Sequence, residues 1–256
     1  MTRTRMAKIL LLFVFAARGT SFIFSKTLMD GMSPMSVLAV RFITAFLILC
    51  LIFHKKILKC NIASLKGGFI IGVLSTINMI IEMYALRLIA SGVCALIENM
   101  AIVFVPIFEA ILIKVFPQKK TLLCAVLAVA GVGFLSVTQN ELSGGSLGVF
   151  LSICAAVAYA ICIMATARVA SKGDPVTVGM TQIGTMGILS LIVSLAMGDF
   201  SMPQGGAQWS MIMMLVLVCT CFGFTFQPVG QRYVPSETAA VFSVLNPLTA
   251  SVMGIA

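Results

Sequence analysis

Five charged side chains interrupt long apolar stretches of this chain: Arg18, Arg41, Glu82, Glu98 and Glu109. A charge held inside hydrocarbon costs roughly 2.5–3.5 kcal/mol on insertion scales, so such residues persist where they pair, meet water or act on a ligand. Glu98 lies about 9 Å into its run at 1.5 Å per residue, and Glu109 follows about three turns later on the same face. Arg18 sits mid-run, too deep to reach the headgroups. Arg18 and Glu98 would either lock two helices as an ion pair or bracket a zwitterionic solute. Glu82, with Asn78 one turn earlier on its face, is expected to contact a solute or to pair with Arg87 or Arg41. Arg41 is expected to reach the outer headgroups, and Glu109 to meet Lys114 or nearby lysines. Asn99, Tyr159, Gln182 and Asn246 add polar groups that bond either a solute or a neighbouring helix.

Other chemistries lack their residues. The eight cysteines form no CxxC pair and His54 is the single histidine, so no metal site is expected. No HExxH, GxSxG or phosphate-binding loop occurs, which leaves no catalytic residue, no cofactor and no direct ATP coupling to assign.

The elements that must position these residues follow from composition. Hydrophobic residues make up 60% and charged residues 10% of 256 residues, and mean hydropathy is +1.12. A soluble surface needs far more charge, so the main solvent is a bilayer. Nine apolar runs are each near the length that spans hydrocarbon: 8–27, 34–53, 68–86, 92–113, 121–137, 147–167, 176–197, 209–230 and 238–256. They do not alternate as barrel strands do, which leaves helices. The first run continues through Phe22–Phe24, and cleavage after Ala17 would place Phe15 at −3, so it reads as a span rather than a signal peptide.

The net charge of +9 reflects membrane topology rather than nucleic acid. Arg3, Arg5, Lys8, Lys55, Lys56, Lys59, Lys66, Lys114, Lys119, Lys120, Arg168, Lys172 and Arg232 all fall at alternate run ends. Asp30, Glu141 and Asp199 fall at the others. The bias places the N-terminus in the cytoplasm of a multi-pass cell-membrane protein. Pro106 and Pro247 each remove a helical hydrogen bond inside a run and are hinge candidates. Gly68-x-x-x-Gly72 and Ala156-x-x-x-Ala160 are ridges for close helix packing.

Features recur at a fixed offset. Lys26 and Arg168 stand 142 residues apart, Pro34 and Pro175 141, Pro106 and Pro247 141, and Ser91 and Ser236 145. The implied units are 1–142 and 143–256. A five-helix unit is odd, so its second copy enters from the opposite side as an inverted repeat. The fold class expected is an all-α integral membrane bundle, a ten-helix inverted repeat of five plus five. Run 121–137 has its counterpart beyond Ala256, so nine spans are expected here, with the tenth missing.

These residues resemble the drug/metabolite transporter superfamily, in its EamA-like branch. The likeness rests on Gly19-Thr20-Ser21-Phe22 followed by Lys26, Arg41-Phe42 followed by Ala45, Ala85-Leu86-Arg87 followed by Ser91, Val105-Pro106, Gly131, Gln231-Arg232-Tyr233, Pro235-Ser236-Glu237 and Asn246-Pro247. Arg18 stands where the family has Trp, and Asn246 where it often has a carboxylate. Between spans four and five, Phe116-Pro117-Gln118-Lys119 replaces a Gly-Glu-Arg turn. The resemblance implies that spans one, three, four, six, eight and nine line a central cavity. The substrate or coupling candidates are then Arg18, Thr20, Glu82, Glu98, Asn99, Tyr159 and Asn246. The expected activity is secondary transport, with export of small organic metabolites or amino-acid-like solutes. Proton coupling and simple exchange both stay open, as does the oligomeric state. The rival expectations are a lipid-modifying intramembrane enzyme, for which the clustered residues are lacking, and a non-transporting scaffold or truncated fragment.

Overall fold

The computed structural model describes residues 3–57, 60–114 and 145–255, with positions 123 and 127. Among the described residues every regular element is helical. The first crossing is α1 (Arg3–Gly19) continued by α2 (Ser21–Leu28). After it come α3 (Pro34–Ile52), the short α4 (His54–Ile57) and α5 (Ile62–Leu88). The next crossing is α6 (Ser91–Glu98) with α7 (Ala101–Leu112). Then follow α8 (Gly145–Lys172), α9 (Pro175–Met197) and α10 (Gly205–Gln231), whose centre at Leu215–Phe224 is π-helical. Last come α11 (Ser236–Phe242) and α12 (Leu245–Ile255).

Seven stretches among the described residues are long and apolar enough to cross a membrane. They coincide with the expected runs one to four and six to eight. Run 121–137 lies outside the described residues. Run 238–256 is divided between α11 and α12 by a turn at Ser243-Val244.

Local chemistry sets the starts. Ser33 caps α3 by accepting from Ser36 N at 3.1 Å, with Pro34 at the first helical position. Asp174 caps α9 in the same way, accepting from Thr177 N at 2.9 Å ahead of Pro175. Both prolines occupy a position whose amide would lack a partner anyway. Gly198 ends α9 in the left-handed conformation, at φ 68°.

Successive crossings run in opposite directions. At one end, Lys56 meets Asp174, Arg168 meets Glu109 and Arg232 reaches the Gly173 carbonyl. At the other, Lys26 reaches the Leu86 and Ile89 carbonyls, Ser36 meets Asp199, and Tyr84 meets Met197.

The burial pattern is inverted relative to a water-soluble protein. Phe13, Leu51, Phe69, Ile111 and Phe150 stand more than half exposed, while Arg41, Glu82, Glu98, Gln182 and Gln227 are buried. Hydrocarbon takes the outward apolar surface, and polar groups satisfy one another inside. At the centre α9 packs on both α3 and α5, and α5 packs on α8. On the other side α10 packs on α1 and α3, and α1 packs on α12. The Gly68-x-x-x-Gly72 ridge lies against α9. A Cβ at Gly72 would come 2.5 Å from Thr185 Cβ and 3.0 Å from the Gln182 carbonyl oxygen.

Because backbone cannot retreat as a flexible side chain can, Gly72→Ala should destabilise the bundle by about 1–3 kcal/mol. Thermal unfolding in detergent checks this, with Gly206→Ala as the unaffected control, since nothing lies within 4 Å of a Cβ there. Partial burial would raise the Asp174 carboxyl, but two bonds to Thr177 and the nearby Lys56 ammonium outweigh it and hold the group below its usual range. A depressed carboxylate stabilises the fold above its unfolded value, about pH 4, and loses that contribution as pH falls through the lower folded value. Asp174→Asn keeps a good cap and should lose this part of the acid sensitivity, read as Tm against pH.

Candidate functional site

Four departures from regular α-helix converge inside the bundle. The first crossing breaks at Thr20, between α1 and α2. The α6–α7 crossing breaks at Asn99-Met100, and α11–α12 at Ser243-Val244. The π-helical stretch of α10 is the fourth. Pro247 has no amide to bond the Ser243 carbonyl four residues back, which accounts for the break there. The two later breaks are tied together, because Ser243 Oγ donates to Asn99 Oδ1 at 3.0 Å.

Between these breaks lies a narrow cavity of about 10 Å³, room for one water molecule. Its walls are Arg18, Ser21, Phe22, Arg41, Met79, Glu82, Glu98, Tyr159, Phe224 and Asn246. A second hollow of the same size shares Arg18, Met79, Tyr159 and Phe224, and continues to Ser75, Asn78, Gln182 and Gln227. Together they form a continuous polar seam inside the bundle.

Two arginines and two glutamates line this seam. Arg18 donates to Gln227 Oε1. Its guanidinium carbon lies 4.3 Å from the Phe224 ring centroid and 5.3 Å from that of Tyr159. Such aromatic faces attract a desolvated cation. Gly223 makes the path, since a Cβ there would come 2.8 Å from Arg18 Cγ. Arg41 donates from Nε to Thr220 Oγ1 at 2.7 Å and from a terminal nitrogen to Ser21 Oγ at 2.9 Å. Thr220 in turn donates to the Leu215 carbonyl five residues back, at 2.9 Å. The π turn thus fixes the group that holds Arg41.

On the acidic side, Glu98 accepts from Asn78 Nδ2 at 3.3 Å. The Glu82 and Glu98 carboxyls lie within hydrogen-bond reach of each other. Among the described residues Asn78 Oδ1 on the seam makes no hydrogen bond, while the Tyr159 hydroxyl and the Asn246 side chain lie within hydrogen-bond reach of each other. Buried polar atoms are normally bonded, and unpartnered ones facing a cavity mark where a bound molecule would complete the set.

The structure brings together Arg18, Glu82, Glu98, Tyr159 and Asn246 from the sequence candidates. Two others serve the helix breaks instead. Thr20 Oγ1 donates to the Ala17 carbonyl at 2.8 Å and touches Cys219 Sγ at 3.2 Å, while Asn99 takes the Ser243 bond. Arg41 corrects an expectation. It is 1% exposed and belongs to the cavity rather than the headgroups. Arg18 and Glu98 share the cavity without a direct ion pair, because Gln227 takes the guanidinium. Glu109 meets Arg168 at 3.1 Å rather than a lysine. Phe224 and Thr220 went unnoticed in the sequence, since only the folded π turn gives them a role, and Ser21 entered the sequence analysis only as part of a motif. No cluster of metal-ligating side chains occurs among the described residues.

The comparisons with known proteins bear on this geometry. The EamA-like transporter family model matches twice, over residues 5–137 and 146–256. The chain belongs to the EamA-like transporter family. No curated protein matches the sequence significantly. Among solved structures, one crystal structure of a protein aligns with 99% of this chain and 88% of its own, with a TM-score of 0.67 and 14% identity. That likeness is one of fold. In this EamA-like chain the cavity therefore sits in a transporter family's scaffold, at the meeting point of its broken helices.

The Asn99–Ser243 bond ties two breaks directly. A double-mutant cycle of Asn99→Ala and Ser243→Ala, read by reversible unfolding in detergent or bicelles, should give a coupling of about 0.6 kcal/mol, the average for helix–helix bonds in membranes, and no more than about 1.7 kcal/mol.

Proposed function

We propose that this chain is a secondary transporter that moves small organic solutes across the cell membrane by alternating access, as an exporter of metabolites or amino-acid-like compounds. The feature carrying this reading is the set of two arginines and two glutamates lining one narrow internal cavity, with the unbonded Asn78 Oδ1 in the adjoining hollow. A zwitterion fits such a set. Its carboxylate would take guanidinium donors from Arg18 or Arg41. Its ammonium would lie against Glu98 or Glu82, and Tyr159 and Asn246 would bond its remaining polar atoms. Proton coupling has a seat in the facing Glu82 and Glu98 carboxyls, which can take up and release a proton between them.

The two halves, 1–142 and 143–256, are read as inverted repeats. Supporting this are the paired caps at Ser33-Pro34 and Asp174-Pro175 and the two breaks joined by Asn99 and Ser243. The packing is also paired: α5 lies on α8 and α10 on α1, while α6–α7 lie on α8 and α12 on α1. Discontinuous helices at a repeat interface are where secondary transporters place their sites. Pro106 and Pro247 then act as hinges beside the two breaks. The cavity holds only about one water in this form, so entry of a solute requires the halves to rock apart. The N-terminus is placed in the cytoplasm, with the basic ends of the helices.

The test is counterflow in proteoliposomes with a panel of labelled amino acids and related zwitterions. The wild-type chain should exchange at least one of them. Glu98→Gln should lower that rate by tenfold or more while inserting normally and keeping its Tm. A wild-type rate in Glu98→Gln would remove Glu98 from the mechanism, and no exchange of any zwitterion would remove the substrate class.

A further inference from the structure

Two hollows adjoin at the basic end of the bundle, away from the polar seam. One is open to solvent, about 650 Å³ in volume, and lies where α3 and α8 end and α5 and α9 begin. Its cations are Lys55, Lys56, Lys172 and Arg232, against the single carboxylate of Asp174 among its described lining residues. Asp174 is shared with Lys56 at 3.3 Å, so the hollow keeps a net positive charge. Asn61, Ser64 and Thr177 complete its wall.

The second hollow is an apolar groove of about 240 Å³ between α3, the start of α5 and α9. Phe46, Leu65, Met180 and Ile188 line it, and it opens on the outward surface, where Ile188 is more than half exposed. Thr177 belongs to both hollows. Along α9 the groove runs from Thr177 to Ile188, roughly 16 Å at 1.5 Å per residue. That is about half the ~30 Å hydrocarbon thickness, the depth of one leaflet.

A soluble anion would fill the basic hollow and leave the groove bare. A neutral lipid would fill the groove and leave the charges unmatched. We propose that an anionic phospholipid occupies both, with its phosphate among Lys55, Lys56, Lys172 and Arg232 and one acyl chain along α9. Basic hollows at the membrane surface between helices suit such headgroups. The lipid would clamp α3 to α9 beside the Asp174 cap, at the seam between the two halves.

Native mass spectrometry of the purified full chain tests this, with titration by dioleoyl phosphatidylglycerol, dioleoyl phosphatidylcholine and glycerol phosphate in separate arms. Phosphatidylglycerol should bind several-fold more tightly than phosphatidylcholine, and glycerol phosphate should show no comparable binding. Lys55→Gln and Lys172→Gln should each weaken phosphatidylglycerol by about fivefold, the contribution of one surface lysine. Cys50→Trp, which fills the groove, should weaken both lipids alike. Should a variant fail to fold, the wild-type chain still decides: its preference for phosphatidylglycerol must shrink as salt is raised, because the contact is electrostatic. Equal binding of the two lipids, or a preference that ignores both lysines and salt, overturns the proposal. Glycerol phosphate binding as tightly as the lipid overturns it in favour of a soluble anion site.

Discussion

In hydrocarbon a backbone amide or carbonyl without a partner costs several kcal/mol, and this requirement organises the molecule. A helix satisfies itself, so most of each crossing is regular. Irregular backbone survives at membrane depth only where protein or a polar cavity surrounds it. All four irregular stretches obey that rule. The breaks at Thr20, Asn99-Met100 and Ser243-Val244 and the π turn of α10 face one another around a single polar seam. The cavity and the breaks are therefore one feature. The loosened ladders need polar company, and the polar residues need positions that a regular helix would not give them.

The charges follow the same logic. Arg18 and Arg41 are each held by neutral partners, Gln227 in one case and Thr220 with Ser21 in the other, and by aromatic faces. Glu98 is held by Asn78. Among the described residues none of these three, nor Glu82, is held in a tight ion pair of the kind that joins Arg168 to Glu109 at the bundle's edge. Desolvated charges held by neutral donors and acceptors stay available to a charged visitor. A buried ion pair would have consumed them.

Much of this was legible in the chain itself. Apolar runs gave the crossings, because hydrocarbon thickness sets a length that few other structures need. Pro34 and Pro175 stood at the starts of two runs in the sequence, and the structure adds the Ser33 and Asp174 caps beside them. Charge in an apolar run pointed to Arg18, Glu82 and Glu98, since only the cavity repays the cost of burying them. Arg41 was misplaced for a physical reason. It lies about 10 Å past the start of α3, where a long side chain can reach either headgroups or core, and spacing alone does not choose. The breaks were only half legible. Pro247 stands four residues after Ser243, as its missing amide requires, but nothing in Asn99 or Thr20 forbids a helix. The π turn leaves no trace among residues 215–224, which are apolar enough for any helix, and with it went the roles of Thr220 and Phe224.

That π turn carries a mechanical consequence. A stretch with five-residue spacing between bonded groups holds surplus chain relative to an α-helix of the same height. Releasing one residue of that surplus would turn everything beyond it by about 100° and advance it by about 1.5 Å. The segment beyond it holds Gln227, the partner of Arg18, and the stretch itself holds Thr220, the partner of Arg41. A single slip in the winding of α10 would therefore uncouple both guanidinium groups in one motion, without any helix leaving its place in the bundle.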